Sequence, residues 1–358
     1  MAGLLSGCVS TRESDSTDTD GSGAEATGGV VNVYNWGEYI DESVLTDFEE
    51  ATGIKVNYQM YDSNETMYSK VAAGGAEYDV VIPSDYMIAR MIEEDMLEPL
   101  NFDNIPNFAD IDPNLLNPAY DPENLYSVPY MWGLLGVIYN KTMVDEADLG
   151  SWDLMWNEKY SGKILQFNNS RDAFGTAMYR LGIDVNTTDT AQWDQALDSL
   201  LEQRPLVNSY VMDEIFNKLE SGEAAIGAYY AGDYFTMVDA QADNVDLQFY
   251  YPEPTNYFVD AMCIPTGCQN QELAEIFINY MLSEEAAVAN AEYIYYASPN
   301  SLVYDNETYQ EDMGEEAMAI LYPEGEDFAT AYNQLAYRNL SNDMLDYVNT
   351  LWENLKIN

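Results

Sequence analysis

The feature that most limits the fold is an alternation of strand-like and helix-like segments that begins at Val30. Short apolar runs are followed by amphipathic segments, the first of which is stopped by Gly53. Strands that alternate with helices at this pace indicate an α/β protein with a parallel sheet. The predicted strands cover 30–36, 54–60, 78–83, 133–139, 163–167, 224–230, 245–251 and 257–264. The predicted helices cover 41–52, 64–73 (capped by Asn64), 86–95, 171–181, 190–202, 211–220, 272–282, 284–293 and 343–355.

The predicted elements form two α/β sets, and a chain of 358 residues suits two domains. An Asn-, Asp- and Pro-rich stretch, 101–126, is predicted to be a long loop within the first set. No flexible linker separates the sets, which favours domains joined by strands. In such folds ligands bind at the carboxyl ends of strands and between domains.

The charge balance favours a cationic partner over an anionic one. The chain has 63 acidic and 13 basic residues, a formal net charge of -50. Nucleic acid and anionic membrane surfaces would be repelled, whereas a cation would be attracted. An acidic surface also keeps an exported protein soluble, so charge alone leaves both explanations open.

The absence of histidine removes several classes of chemistry at once. Serine–histidine and cysteine–histidine catalysis and histidine-ligated metals are excluded. Carboxylate catalysis of the glycosidase type and oxygen-ligated Ca²⁺ remain possible. The sequence has no EF-hand loop and no glycine-rich phosphate loop, so we predict no metal and no cofactor.

The amino terminus predicts export and anchoring. Leu5-Ser6-Gly7-Cys8 resembles a bacterial lipobox, although residues 1–8 are a truncated lipoprotein signal without a basic start. Residues 9–30 are rich in Ser, Thr, Asp and Gly and are predicted to be a flexible tether. The other cysteines, Cys263 and Cys268, could form a short-loop disulfide, but Cys263 lies in an apolar run that favours a buried free thiol.

Aromatic residues recur beside carboxylates where the predicted strands end, as in Trp36-Gly37-Glu38-Tyr39 and Tyr257-Phe258-Val259-Asp260. Carboxylates can pair with a buried ammonium, and ring faces add cation–π attraction and cover methylene groups. Such a site suits an alkyl diamine or triamine. In a chain with 30 Tyr each cluster taken singly could equally be core packing.

Several motifs resemble the spermidine/putrescine-binding proteins of bacterial ABC importers. They are the segments VYNWGEY (33–39), TGIKV (52–56), SNETMY (63–68), YDVVIPS (78–84), YSVPYMWG (126–133) and SPN (298–300). The resemblance implies a type II periplasmic-binding-protein fold, in which two lobes joined by crossover strands close on the ligand. One lobe would contain 31–135 and 261–304, and the other 136–260 and 305–358.

The resemblance also implies the ligand-binding residues. Amines would be neutralised by Glu38, Asp172 and Asp260, with Ser84 as a donor or acceptor at one end. The aromatic box would be formed by Trp36, Tyr39, Tyr86, Tyr230, Phe258 and Tyr296.

Two further positions depart from the family. Asn169 replaces a carboxylate, and Arg338 replaces a polar residue, so it either opposes a polycation, pairs with Asp343 or points away.

The predicted function is therefore an extracytoplasmic, lipid-anchored and monomeric solute-binding protein that captures polyamines for ABC permease subunits, without catalysis. The alternatives are a binding protein for another small solute and an extracellular carboxylate glycosidase.

Overall fold

The computed structural model describes residues 28–74, 77–323 and 335–357, and the chain folds as a mixed α/β protein. The strands are β1 (Gly29–Trp36), β2 (Ile54–Tyr61), β3 (Val80–Val81), β4 (Ser127–Asn140), β5 (Ile164–Phe167), β6 (Val207–Val211), β7 (Ile226–Tyr230), β8 (Leu247–Tyr250) and β9 (Tyr257–Cys263). The helices are α1 (Glu42–Thr52), α2 (Asn64–Ala72), α3 (Asp85–Glu93), α4 (Ser170–Leu181), α5 (Thr190–Gln203), α6 (Glu214–Glu220), α7 (Ala231–Ala240), α8 (Gln271–Met281), α9 (Glu284–Ile294), α10 (Ser301–Tyr304), α11 (Glu307–Leu321) and α12 (Asn342–Ile357).

Local sequence explains where the early helices begin and end. The Asp41 side chain accepts a hydrogen bond from the backbone of Ser43, and Gly53 ends α1 in a left-handed conformation. At α2 the prediction was wrong by one residue, because Ser63 is the cap and Asn64 is the first helical residue. This shift frees the Asn64 side chain for contacts described below.

The sheet is mixed rather than parallel. Its strands follow the order β2-β1-β3-β9-β4-β7-β5-β6, and β8 also pairs with β4. The β1–β2, β1–β3, β5–β6 and β5–β7 pairs are parallel, whereas β9 runs antiparallel to β3 and β4. The prediction of a parallel sheet was wrong because β4 and β9, the strands that cross between the two halves, run through the middle of the sheet in opposite directions.

Two elements differ in extent from their predictions. Strand β4 begins six residues before the predicted 133–139, and nearly all of it is buried, so no alternation reveals it. The predicted helix 211–220 is instead the end of β6 followed by α6. Helices α7, α10 and α11 were not predicted, whereas 101–126 contains only short 3₁₀ turns, as expected for an irregular loop.

Two main hydrophobic cores lie on either side of the crossover strands. The first contains Val33, Ile82 and Leu134, and the second contains Leu135, Phe174 and Ile226. The change from one core to the other falls between adjacent residues of β4. Tyr86 and Tyr230 pack against both cores, which places them where the two halves meet.

Other sequence predictions concern single residues or segments. Cys263 is buried and free and Cys268 is also free, so the free-thiol prediction is confirmed. Cys8 and the tether up to Thr27 lie outside the described residues. Within the ranges that the structure describes, no helix is both long and apolar enough to cross a membrane.

Candidate ligand-binding cleft

Asp260 is one of two predicted carboxylates that are buried, the other being Asp172. It lies on β9, is 5% exposed, and accepts a hydrogen bond of 2.8 Å from the Tyr39 hydroxyl. Its other oxygen, Oδ1, has no hydrogen-bond partner among the described residues. Burial raises the pKa of this carboxyl to about 6, against the lowering effect of Ser84 and Tyr39. A buried acceptor without a donor makes Oδ1 a candidate for a hydrogen bond from a ligand.

Asp172 occupies the first turn of α4, where the helix dipole favours an anion. Its carboxylate accepts a 2.9 Å hydrogen bond from the Tyr230 hydroxyl. Burial raises the pKa of Asp172 to about 6, although the nearby Tyr230, Tyr337 and Arg171 side chains favour the charged form. The Arg171 guanidinium donates to the Val185 carbonyl at 3.4 Å, and among the described residues it forms no salt bridge with this carboxylate.

Asp233, in the first turn of α7, was missing from the predicted site. Its carboxylate accepts a 2.8 Å hydrogen bond from Tyr296, and burial raises its pKa to about 7. The sequence did not lead us to place Asp233 in the site, because α7 was not predicted. Asp172, Asp233 and Asp260 are called the carboxylate trio below.

The aromatic residues connect the carboxylates through ring contacts. The Tyr296 ring lies 5.2 Å from Tyr39 and 6.0 Å from Phe258, and Phe258 lies 5.3 Å from Tyr230, measured between centroids. Steep interplanar angles make all three contacts edge-to-face. The predicted box residues Tyr39, Tyr230, Phe258 and Tyr296 are therefore brought together.

A glycine lets the Tyr296 ring approach the backbone at the start of α7. A Cβ atom added to Gly232 would lie 2.2 Å from Cδ2 of Tyr296 and 2.6 Å from the Tyr295 carbonyl oxygen. Gly232 therefore lets the Tyr296 ring lie against the start of α7, where its hydroxyl reaches Asp233.

Ser84 and Tyr86 are held by Asn64, a residue that sequence reasoning had treated only as a helix cap. The buried Asn64 amide donates to the Ser84 hydroxyl at 3.1 Å and to the Tyr86 hydroxyl at 3.0 Å. Tyr86 in turn donates to Glu65 at 3.2 Å. The predicted Trp36 is held separately, since its indole donates to the Ile82 carbonyl at 2.9 Å.

Three predicted residues are not brought into this cluster. Glu38 is exposed and has a left-handed backbone with φ of 51°. The Asn169 side chain caps α4 by accepting from the Arg171 backbone at 2.9 Å. Arg338 is exposed, and its backbone donates to Asn186 at 2.7 Å.

The arrangement can bind cations, because the Arg171 guanidinium lies near Asp172 but donates to the Val185 carbonyl. Across the ranges the structure describes, no lysine or arginine forms a salt bridge with any of the carboxylate trio. No group of three or more acidic or cysteine side chains there is arranged to hold a metal ion. Two lobes with buried, tyrosine-bonded carboxylates between ring edges define a solute-binding protein.

Comparisons with known proteins support the same class of protein. The family model for bacterial extracellular solute-binding proteins matches residues 43–317. The spermidine/putrescine-binding periplasmic protein of Escherichia coli (strain K12) is 35% identical over 270 residues, 75% of this chain and 76% of that protein.

Two solved structures are also similar. A putative spermidine/putrescine ABC transporter protein from Listeria monocytogenes has a TM-score of 0.82 and 36% identity, and the match covers 92% of this chain and 99% of that one. The substrate-binding protein PotD from Streptococcus pneumoniae has a TM-score of 0.76 and 37% identity, covering 92% and 98%. The chain belongs to the bacterial extracellular solute-binding protein family, and its fold is the two-lobe periplasmic-binding-protein fold expected from the sequence.

Proposed function

We propose that this protein captures polyamines of the putrescine and spermidine type in the cleft and delivers them to an ABC permease. The observation that supports this most is the carboxylate trio, in which buried Asp172 and Asp260 and half-buried Asp233 lie beside aromatic rings and accept hydrogen bonds from tyrosine hydroxyls. A buried anion is costly unless a cation pairs with it. An alkyl polyamine supplies ammonium groups for the carboxylates and methylene groups for the rings.

The test is calorimetric titration of the protein with putrescine, cadaverine, spermidine and spermine. 1,4-Butanediol, which has the length of putrescine but no charge, serves as the ligand control. We expect saturable binding of at least one polyamine and none of the diol. Asp260→Asn should weaken that binding by about 30-fold or more, since an ammonium would lose a buried charged partner. Exposed Asp47→Asn, which makes the same change in net charge, should have no effect.

Equal affinity in the wild type and Asp260→Asn would contradict this assignment of the site. Binding of the diol as tight as that of putrescine would contradict the class of ligand. The relatives are named as binding proteins, and we propose no catalysis here. Recovery of unchanged polyamine by chromatography after incubation would agree.

The remaining parts of the proposal concern the location of the protein. The family is extracellular, which places the chain outside the cytoplasm. We propose that Cys8 is lipidated and anchors a monomeric protein next to its permease. Detergent phase partitioning tests the anchor, because Cys8→Ser should move the protein from the detergent phase to the aqueous phase. Light scattering tests the monomer.

A further inference from the structure

A cavity of about 200 Å³ lies outside the cleft, behind the crossover strands. Its lining residues include Trp132 on β4, Tyr304 on α10, Tyr322, just after α11, and Asp112. The cavity is open to solvent on one side and larger than the roughly 150 Å³ that accommodates benzene in an engineered protein core. It has room for an organic group of several heavy atoms.

Strand register places this cavity on the opposite side from the carboxylates. Trp132 pairs with Val259, whereas the neighbouring Met131 and Gly133 pair with Asp260 and Phe258. Because successive side chains on a strand point to opposite faces, Trp132 faces away from the cleft that holds Phe258 and Asp260. The two sites are therefore separate, although both are built on β4 and β9.

The rings around the cavity are held in fixed positions. The Trp132 and Tyr322 centroids are 5.8 Å apart, and those of Tyr322 and Tyr304 are 5.1 Å apart. The Trp132 indole donates to the Ser298 carbonyl at 3.3 Å, and the Ser298 backbone donates to the Tyr322 hydroxyl at 2.9 Å. These bonds fix the two inner rings, while Tyr304 is 49% exposed at the mouth.

The Asp112 carboxylate lies in the lining together with the aromatic rings, and both kinds of group attract organic cations. Asp112 accepts a 2.8 Å hydrogen bond from the Asn114 backbone, and within the described parts of the chain no lysine or arginine forms a salt bridge with it. Aromatic faces attract organic cations, and a carboxylate beside them adds to that attraction. A neutral ligand would gain only from the apolar walls.

We propose that this cavity is a second binding site, for a small organic monocation such as a quaternary ammonium or a primary amine. The site does not depend on the polyamine cleft or on the proposed function. The cavity and the cleft are close along the chain, since Ser298 lines the cavity and Tyr296 lines the cleft.

The probe is tetramethylammonium chloride, titrated while the indole signal of Trp132 is followed by NMR with labelled tryptophan. Trp132→Phe identifies that signal among the 6 tryptophans. Sodium chloride at equal concentration controls for ionic strength, and neutral neopentyl alcohol controls for shape. We expect a saturable shift with a dissociation constant of about 1 mM.

The variants decide whether the cavity is the site. Asp112→Asn retains a side-chain oxygen able to cap the following turn, and both it and Tyr304→Ala should weaken tetramethylammonium binding by about 5-fold. Tyr293→Ala, which removes a tyrosine of similar exposure outside the cavity, should leave it unchanged, as should Asp260→Asn. No saturable shift at tens of millimolar, equal binding of neopentyl alcohol, or variants that bind like the wild type would each overturn the proposal.

Discussion

Replacing Asp260 by asparagine should stabilise the ligand-free protein while weakening ligand binding. The pKa of Asp260 is raised from 3.8 to about 6, so its charged form is less favourable in the folded protein than in the unfolded chain. A rise of about two pKa units corresponds to a destabilisation of the folded protein by about 3 kcal/mol at pH 7. The conversion applies because the residue is only 5% exposed. Asparagine has similar shape and no charge, so it should recover much of this free energy.

The sign of the effect fixes its pH dependence. For an acid whose folded pKa is raised, the destabilisation is absent below the unfolded pKa and complete above the folded one. The gain in stability of Asp260→Asn should therefore be full at pH 7, shrink between about pH 6 and 4, and disappear below that range.

Urea unfolding at pH 7 and pH 4 measures the stability difference. Asp47→Asn, on the exposed side of α1, controls for the loss of one negative charge from a chain of net charge -50. A lower urea midpoint for Asp260→Asn at pH 7, or an equal gain at both pH values, would refute the reasoning.

Three further predictions concern the same site. Gly232→Ala should weaken polyamine binding by about 10-fold or more in calorimetry, because the Cβ of the alanine would overlap the Tyr296 ring and displace it from the site. Unchanged affinity would show that Gly232 does not set the position of Tyr296. Polyamine affinity should rise from pH 5.5 to pH 8, because only the charged carboxylates pair with ammonium and the pKa values of Asp172, Asp233 and Asp260 are raised to about 6, 7 and 6. Titrations in two buffers should show proton release on binding, and an affinity that does not change with pH would contradict this prediction. Asn64→Ala should lower polyamine affinity about 5-fold by freeing Ser84 and Tyr86, and an unchanged dissociation constant would show that Asn64 does not position them.

The sequence predicted most elements of the first half, and of the two strands that join the halves it predicted β9 and the second part of β4 but not their directions. Alternation identified β2, in which Lys55, Asn57 and Gln59 are exposed on one face, whereas β1 was identified as a short strand-like run. Strand β4 is buried nearly throughout, so its first half carried no periodic signal and its direction could not be inferred. Direction and register of central strands depend on pairing partners distant in sequence, which local patterns do not contain.

The same limit applies to the site: residues marked by their sequence neighbours were predicted, whereas a residue whose partner is distant along the chain was not. Asp172 and Asp260 were found because their neighbours match a family motif, and both are buried in the structure. Glu38 matched equally well but is exposed, since a left-handed residue after β1 presents the turn to solvent. Asp233 was not selected because its role depends on Tyr296, 63 residues away along the chain.

Tyrosine hydroxyls help to stabilise the carboxylates of the ligand-free site, which form no salt bridge with a lysine or arginine of the described residues. Each of the carboxylate trio accepts a hydrogen bond from a tyrosine, which satisfies one lone pair but supplies no positive charge, and at Asp172 the nearby Arg171 guanidinium offsets part of the negative charge. An alcohol or sugar hydroxyl could only replace one neutral donor by another, with little net gain in free energy. An ammonium adds charge compensation that the hydroxyls lack, in a site where burial strengthens electrostatic attraction. Discrimination in favour of amines therefore follows from charge rather than from the number of hydrogen bonds, and variants that remove a tyrosine hydroxyl should change affinity less than variants that remove a carboxylate.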